Sequence, residues 1–199
     1  MDPRRPLTCF ADLAERVRAA PPRLGATRLV CVDGPAGSGK TTFAGRLVAA
    51  LGPGTAVVHM DDLYAGWTLD GAAARLTAGV LRPLAAGRPG SYRRYDWVAE
   101  RFADVPTEVP VPAVLVVEGC GSCPRPLDEW ATLRIWVEAP PQLRLARGLA
   151  RDGDHLAGHW QAWQRAEAAE FAEEDTRARA DVRVDGAALS RDGAFALLV

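Results

Sequence analysis

The residues Gly34-Pro35-Ala36-Gly37-Ser38-Gly39-Lys40-Thr41 carry the pattern Gly, four residues, Gly-Lys-Ser/Thr without a mismatch. A loop of this composition can turn successive backbone N–H groups toward phosphate oxygens. A helix starting at its end adds partial positive charge. Lys40 has the reach for β- and γ-phosphates, and the Thr41 hydroxyl can ligate Mg²⁺. Gly34, Ala36, Gly37, Ser38, Gly39, Lys40, Thr41 and Thr42 are therefore the residues expected to hold a nucleotide, with ATP and Mg²⁺ as the expected cofactors.

Phosphoryl transfer also needs acidic groups beside the nucleotide. One helps to hold the metal and one orients or deprotonates the attacking hydroxyl. Asp61, Asp62 and Glu118 follow apolar runs, and in open α/β sheets ligands sit beyond the carboxyl ends of the strands. The three acids can fill both roles, with Thr41 and Glu118 as the metal pair. Arg144, Arg147 and Arg151 recur at i, i+3 and i+7, on one face of a helix. Their planar forks suit phosphate and the charge that develops during transfer.

The elements that must position these groups are legible as apolar runs and stop signals. Leu29–Val32 reads as a buried strand before the glycine loop, and 42–51 as the helix after it, stopped by Gly52-Pro53. Further strands are expected at 56–60, 113–117, 133–137 and 182–184. Helices are expected at 8–20 with Thr8 as cap, and at 71–86, 141–151, 155–175 and 187–198. In the helix over 155–175, Trp160, Trp163 and Phe171 form the apolar face. The stretch 87–112 reads as irregular or as a short hairpin. Strands alternating with helices predict an α/β fold of the P-loop NTPase type, in three layers, with a parallel sheet covered by helices on both faces. One domain is expected over 1–199, with an acceptor-site segment at about 64–112 and a lid helix at about 141–153.

Composition narrows the function classes. The chain has 199 residues and a net charge of −1, so no global field favours nucleic acid or membrane. No signal peptide or bilayer-length apolar run is read, which implies a cytoplasmic location. A small-molecule acceptor is the expected partner, with homo-oligomerisation left open. The four cysteines do not form a disulfide framework in a chain of this size. Cys120-Gly121-Ser122-Cys123 lacks the second pair that a structural zinc site wants. Asp33 is expected to make a turn hydrogen bond. There is no Asn-Lys-x-Asp stretch of the kind guanine-specific switches use, and near-neutral charge disfavours an ATPase working on a macromolecule.

With these residues in view, the chain resembles the uridine-kinase-like P-loop kinases, the group that includes phosphoribulokinases and pantothenate kinases. Asp61-Asp62-Leu63-Tyr64 is similar to the Asp-Ser/Asp-Phe-Tyr of that group, and the resemblance implies that Asp61 is the general base. Tyr95-Asp96-Trp97 resembles a segment that shapes the acceptor pocket, and Glu118-Gly119 the end of the central strand. The run Arg144 to Asp152 resembles the arginine-bearing lid helix, and Ala180-Asp181-Val182 the start of the last strand. The implied activity is ATP-dependent transfer of the γ-phosphoryl group to a hydroxyl of a small molecule, a nucleoside first. Catalytic roles then fall on Asp61, Lys40, Arg144, Arg147 and Arg151, and acceptor contacts on Asp61, Tyr64, Tyr95, Asp96 and Arg144. The base-reading His of uridine and cytidine kinases is absent from Val98-Ala99-Glu100-Arg101. The glycine loop also resembles that of cytidylate kinases. The alternatives are therefore a nucleoside monophosphate kinase or a non-catalytic nucleotide-binding module.

Overall fold

A computed structural model describes residues 7–189 and 194–198. Its elements in chain order are β1 (Leu7–Cys9), α1 (Phe10–Ala19), β2 (Arg28–Asp33), α2 (Lys40–Leu51), β3 (Thr55–His59), α3 (Ala72–Leu76), α4 (Arg82–Ala85), β4 (Gly90–Tyr92), β5 (Tyr95–Asp96), β6 (Arg101–Phe102), β7 (Thr107–Val109), β8 (Val114–Glu118), β9 (Ala131–Glu138), α5 (Pro141–Asp152), α6 (Ala157–Glu174), α7 (Thr176–Arg179), β10 (Val182–Asp185) and β11 (Ala194–Ala196). The five apolar runs pair in parallel in the order β10-β9-β2-β8-β3, so the strand that feeds the glycine loop lies at the centre.

Alternate residues of a strand point to opposite faces, and both faces of this sheet are apolar. Val30 and Val32 pack with α1 and α2, where the rings of Phe10, Phe43 and Phe195 meet at 4.8–5.0 Å. Leu29 and Cys31 face the other way, into a core with Leu76, Leu81, Leu84, Tyr64 and Trp163. Each fully buried Leu or Phe here contributes roughly 2 kcal/mol of transfer free energy. This is the three-layer α/β arrangement that the alternating pattern predicts.

Several boundaries differ from the sequence expectation. The expected terminal helix over 187–198 is not formed: residues 194–196 are a strand, antiparallel to β1, and residues 190–193 lie outside the described set. Phe195 is fully buried against Phe10 and Phe43, so tertiary packing overrides the helical spacing. The first helix accordingly starts at Phe10. Cys9, not Thr8, caps it, its Sγ accepting from the Asp12 N–H at 3.4 Å. The helix expected over 71–86 is present but contains a π turn at Thr77–Leu81, just before Pro83. Proline has no N–H to continue a regular ladder. The stretch 87–112 forms two antiparallel pairs, β5–β6 nested inside β4–β7. Among the described residues no helix is long and apolar enough to cross a membrane.

Asp33, at the end of β2, does more than close a turn. Its Oδ1 accepts from the N–H groups of Gly34 at 2.7 Å and Gly121 at 3.0 Å, and its Oδ2 from that of Cys123 at 2.9 Å. The carboxyl thus ties the glycine loop to the loop that follows β8. Burial pushes its pKa up to about 6, against the pull of these donors and of Lys40. A raised folded-state value means that the native state holds a proton which the unfolded chain has lost. The contribution of Asp33 is therefore fully present below the unfolded value and disappears as pH rises through about 6. Denaturation of the wild type is expected to lose up to about 3 kcal/mol between about pH 4 and 6 from this group, and Asp33→Asn should abolish that slope. A flat wild-type profile would refute the assignment.

Candidate active site

Parallel strands bring their carboxyl ends to one edge, and the predicted site residues collect there. Glu118 ends β8 between its neighbours, in register with Val32 of β2 and His59 of β3. The glycine loop leaves β2 directly beside it, and Asp61 and Asp62 follow β3 on its other side.

The loop has no room for side chains at its two tightest points. A Cβ on Gly34 would lie 2.1 Å from the Val137 carbonyl oxygen, and one on Gly37, at φ +76°, 2.4 Å from that of Arg144. Glycine alone allows this approach. Among the described residues, the N–H groups of Gly37, Gly39, Lys40, Thr41 and Thr42 have no hydrogen-bond acceptor. This is the donor set that a phosphate chain requires at a helix start. The Ala36 N–H is different: it donates to Glu167 Oε2 at 2.7 Å. Lys40 is buried, and its Nζ donates to the Pro35 carbonyl at 3.0 Å and approaches Cys120 Sγ at 3.6 Å. Burial opposes its charge, but Cys120, Glu167, Glu118 and Asp33 together hold its pKa above the ordinary value.

Thr41 Oγ1 lies 3.2 Å from both oxygens of Glu118. A hydroxyl and a carboxylate are hard oxygen donors. They suit Mg²⁺, which takes one or two protein groups and fills its shell with phosphate oxygens and water. His59 Nδ1 is 2.6 Å from Glu118 Oε1, and that hydrogen bond is the main cause of its raised pKa. Sequence reasoning placed His59 in its strand only. Its position opposite Glu118 at the strand end was the signal for it.

The two aspartates divide cleanly. Asp62 is buried, accepting from Tyr92 Oη at 3.1 Å and from Arg94 Nε at 3.0 Å. The Asp61 carboxyl has no hydrogen-bond partner among the described residues. It is open to solvent but lies in a cleft where desolvation, then the Glu118 charge, raise its pKa, while Lys40, Arg151 and His59 pull the other way. Its backbone carbonyl accepts from Trp97 Nε1 at 3.1 Å, which anchors the β5–β6 hairpin over it. Around this point stand Trp67, Trp97, Tyr95 and His159, with ring centroids of neighbouring pairs 5.4–5.9 Å apart.

Other expected contacts are not where the sequence put them. Tyr64 is 2% exposed, its ring against Trp163 and its hydroxyl donating to the Cys120 carbonyl at 2.8 Å. It is a core residue beneath the acceptor side, because an aromatic ring of that size finds more apolar contact there. The Asp96 carboxylate accepts from the N–H groups of Val98 and Ala99, both at 2.9 Å. Those bonds hold its pKa low, and the group is spent on its own hairpin loop. Tyr95 is half-buried, against Trp97 and Phe102.

The lid arginines also part company. Arg144 pairs with buried Glu167 at 2.9 Å and reaches the Ala139 carbonyl at 3.1 Å. Arg147 donates to the carbonyls of Gly37, Ser38 and Gly186 at 3.2–3.4 Å. Both brace the glycine loop from outside. Arg151 forms a two-pronged bond to Asp152 at 2.7 and 3.0 Å, and its charge is felt at Asp61 and Glu118. Helical spacing gave all three one face, but at 3.6 residues per turn Arg151 stands about one turn beyond Arg147, toward the acids.

No family model matches the chain, and no curated protein matches it either. Among solved structures, one described as a possible uridine kinase of Bacillus stearothermophilus is similar over 87% of this chain and 96% of its own, at 21% identity and a TM-score of 0.64. Another, described as a possible fructose transport system kinase of Silicibacter sp. TM1040, is similar over 82% and 95%, at 24% identity and a TM-score of 0.59. With its parallel sheet and the glycine loop at the centre, this chain shares the three-layer P-loop α/β fold of these two structures.

Proposed function

We propose that this protein is an ATP- and Mg²⁺-dependent kinase that transfers the γ-phosphoryl group to a hydroxyl of a small molecule, with a nucleoside as the first candidate. The observation that carries the reading is the Asp61 carboxyl, without a hydrogen-bond partner among the described residues, just after β3 and beside Glu118 and the glycine loop. Asp61 takes the proton of the acceptor hydroxyl. The acceptor oxygen forms its bond to the γ-phosphorus as the bond to the β,γ-bridging oxygen breaks, and ADP leaves. Lys40 and the free N–H groups of the loop bind the phosphates and orient them in line. Thr41 and Glu118 would hold Mg²⁺, which neutralises charge developing on the transferred group. Trp67 and Trp97 offer flat faces beside Asp61 for a planar acceptor or for the apolar side of a sugar.

A monophosphate acceptor would need free cations on the acceptor side. Of Arg93, Arg94 and Arg101, Arg94 is paired with Asp62 and Arg101 with Asp104, so among the described residues Arg93 is the cation left for an acceptor phosphate.

The test is ATP-dependent phosphorylation of a panel of nucleosides, nucleoside monophosphates and sugars, read by mass spectrometry, with Lys40→Ala as control. A phosphorylated nucleoside or sugar, absent in the control, is the expected result. Phosphorylated monophosphates alone would replace it with the monophosphate kinase, and failure to bind ATP would end the kinase reading.

A further inference from the structure

Glu167 is a buried acid that the proposed reaction leaves unused. It lies in α6, 1% exposed, on the same face as Trp160 and Trp163. Charged groups are buried this deeply only where partners compensate them. Its partners all belong to the phosphate site. Oε2 accepts from the Ala36 N–H at 2.7 Å and from Cys120 Sγ at 3.3 Å, and Oε1 from Arg144 Nη1 at 2.9 Å.

Two of these contacts lead to Lys40. Ala36 follows Pro35, whose carbonyl accepts from Lys40 Nζ at 3.0 Å. Cys120 Sγ, 3.6 Å from Nζ, is also 3.3 Å from the Gly34 carbonyl, so its single S–H is shared between that oxygen and Glu167. A carboxylate that holds both the backbone before Gly37 and the thiol beside the lysine fixes where the lysine head sits. The same helix reaches the acceptor side, where Trp163 packs on Tyr64 and His159 stacks on Trp67. It therefore touches both halves of the site through one rigid element.

We propose that Glu167 is a positioning residue of the phosphate site: through the Ala36 N–H, Arg144 and Cys120 it sets the first half of the glycine loop and the Lys40 head for nucleotide binding. This rests on the kinase reading. An amide at 167 has one acceptor oxygen and one donor group. It can keep one of the two charge-assisted bonds, but turns N–H toward N–H at the other.

The test is titration of MgATP by calorimetry into the full-length wild type, Glu167→Gln and Phe171→Ala, with thermal stability measured on each. Phe171 lies on the same helix, its ring against Trp136, and makes no hydrogen bond to the glycine loop, so it reports loss of helix packing. Glu167→Gln is expected to raise the dissociation constant for MgATP about tenfold, while Phe171→Ala, though less stable, binds as the wild type does. Unchanged or tighter binding by Glu167→Gln overturns the proposal, as does equal weakening in both variants. A Glu167→Gln protein that does not fold is replaced by Glu167→Asp, which retains the charge at a shorter reach and is expected to weaken MgATP binding in the same direction. Wild type that binds no MgATP would instead refute the kinase reading.

Discussion

Asp61→Asn is expected to lower phosphoryl transfer by about 10²–10⁴-fold, the range for removal of a general base, while MgATP binding stays near the wild-type value. The carboxyl has no structural partner to lose among the described residues, so thermal stability should hardly move. Asp62→Asn should do the reverse. That side chain holds Tyr92 and Arg94, so the variant is expected to lose about 1–3 kcal/mol of stability and to retain transfer within about tenfold. The pH profile gives a second check. Desolvation and the Glu118 charge raise the Asp61 pKa. A base works only when deprotonated, so the rate should fall as pH drops through a value above the ordinary aspartate range, and that limb should vanish in Asp61→Asn. If Asp62→Asn abolished transfer in a folded protein while Asp61→Asn kept it, the two roles would be exchanged.

Arg151→Ala is expected to reduce the transfer rate by about a hundredfold or more with little change in stability, because the guanidinium is largely exposed and its contacts are its neighbour Asp152 and the face of Trp160. Arg144→Ala should instead weaken the fold. It leaves Glu167 buried without its cation, a loss on the order of 3–5 kcal/mol for a buried pair, read as a shift in the denaturation midpoint. The contrast arises from what each fork touches: Arg144 is engaged with Glu167 and a backbone carbonyl, whereas Arg151 acts by charge on Asp61 and Glu118. Arg151→Lys separates charge from fork. Recovery of most of the rate by lysine would mean that a point charge suffices; no recovery would assign the role to the planar geometry. Equal rate losses in Arg144→Ala and Arg151→Ala, without a stability difference, would restore the single shared role that helical spacing suggests.

What the sequence by itself determined is the part governed by short-range chemistry. The glycine loop, the strand before it and the helix after it are set by residues within about twenty positions of one another, and the parallel sheet follows from five short apolar runs alternating with helices. Even the two strand-end acids that meet at the site, Asp61 and Glu118, stand out because strands of one direction must end on one edge. What only the tertiary structure decided is which side chains have partners far along the chain. Asp61 and Asp62 are chemically identical and adjacent, and only Tyr92 and Arg94, some thirty residues on, tell them apart. Tyr64 and Asp96 read as acceptor contacts until Cys120 and the hairpin's own N–H groups claim their polar atoms. The last strand is another case: β11 forms because it can pair with β1 across nearly the whole chain, and pairing of that kind leaves no local period to read. Glu167 had a signal, a carboxylate on the apolar face of α6, four residues after Trp163. Its meaning depended on Ala36 and Arg144 arriving beside it. Periodicity reports which face of an element is buried, and only the packed structure reports what that face is buried against.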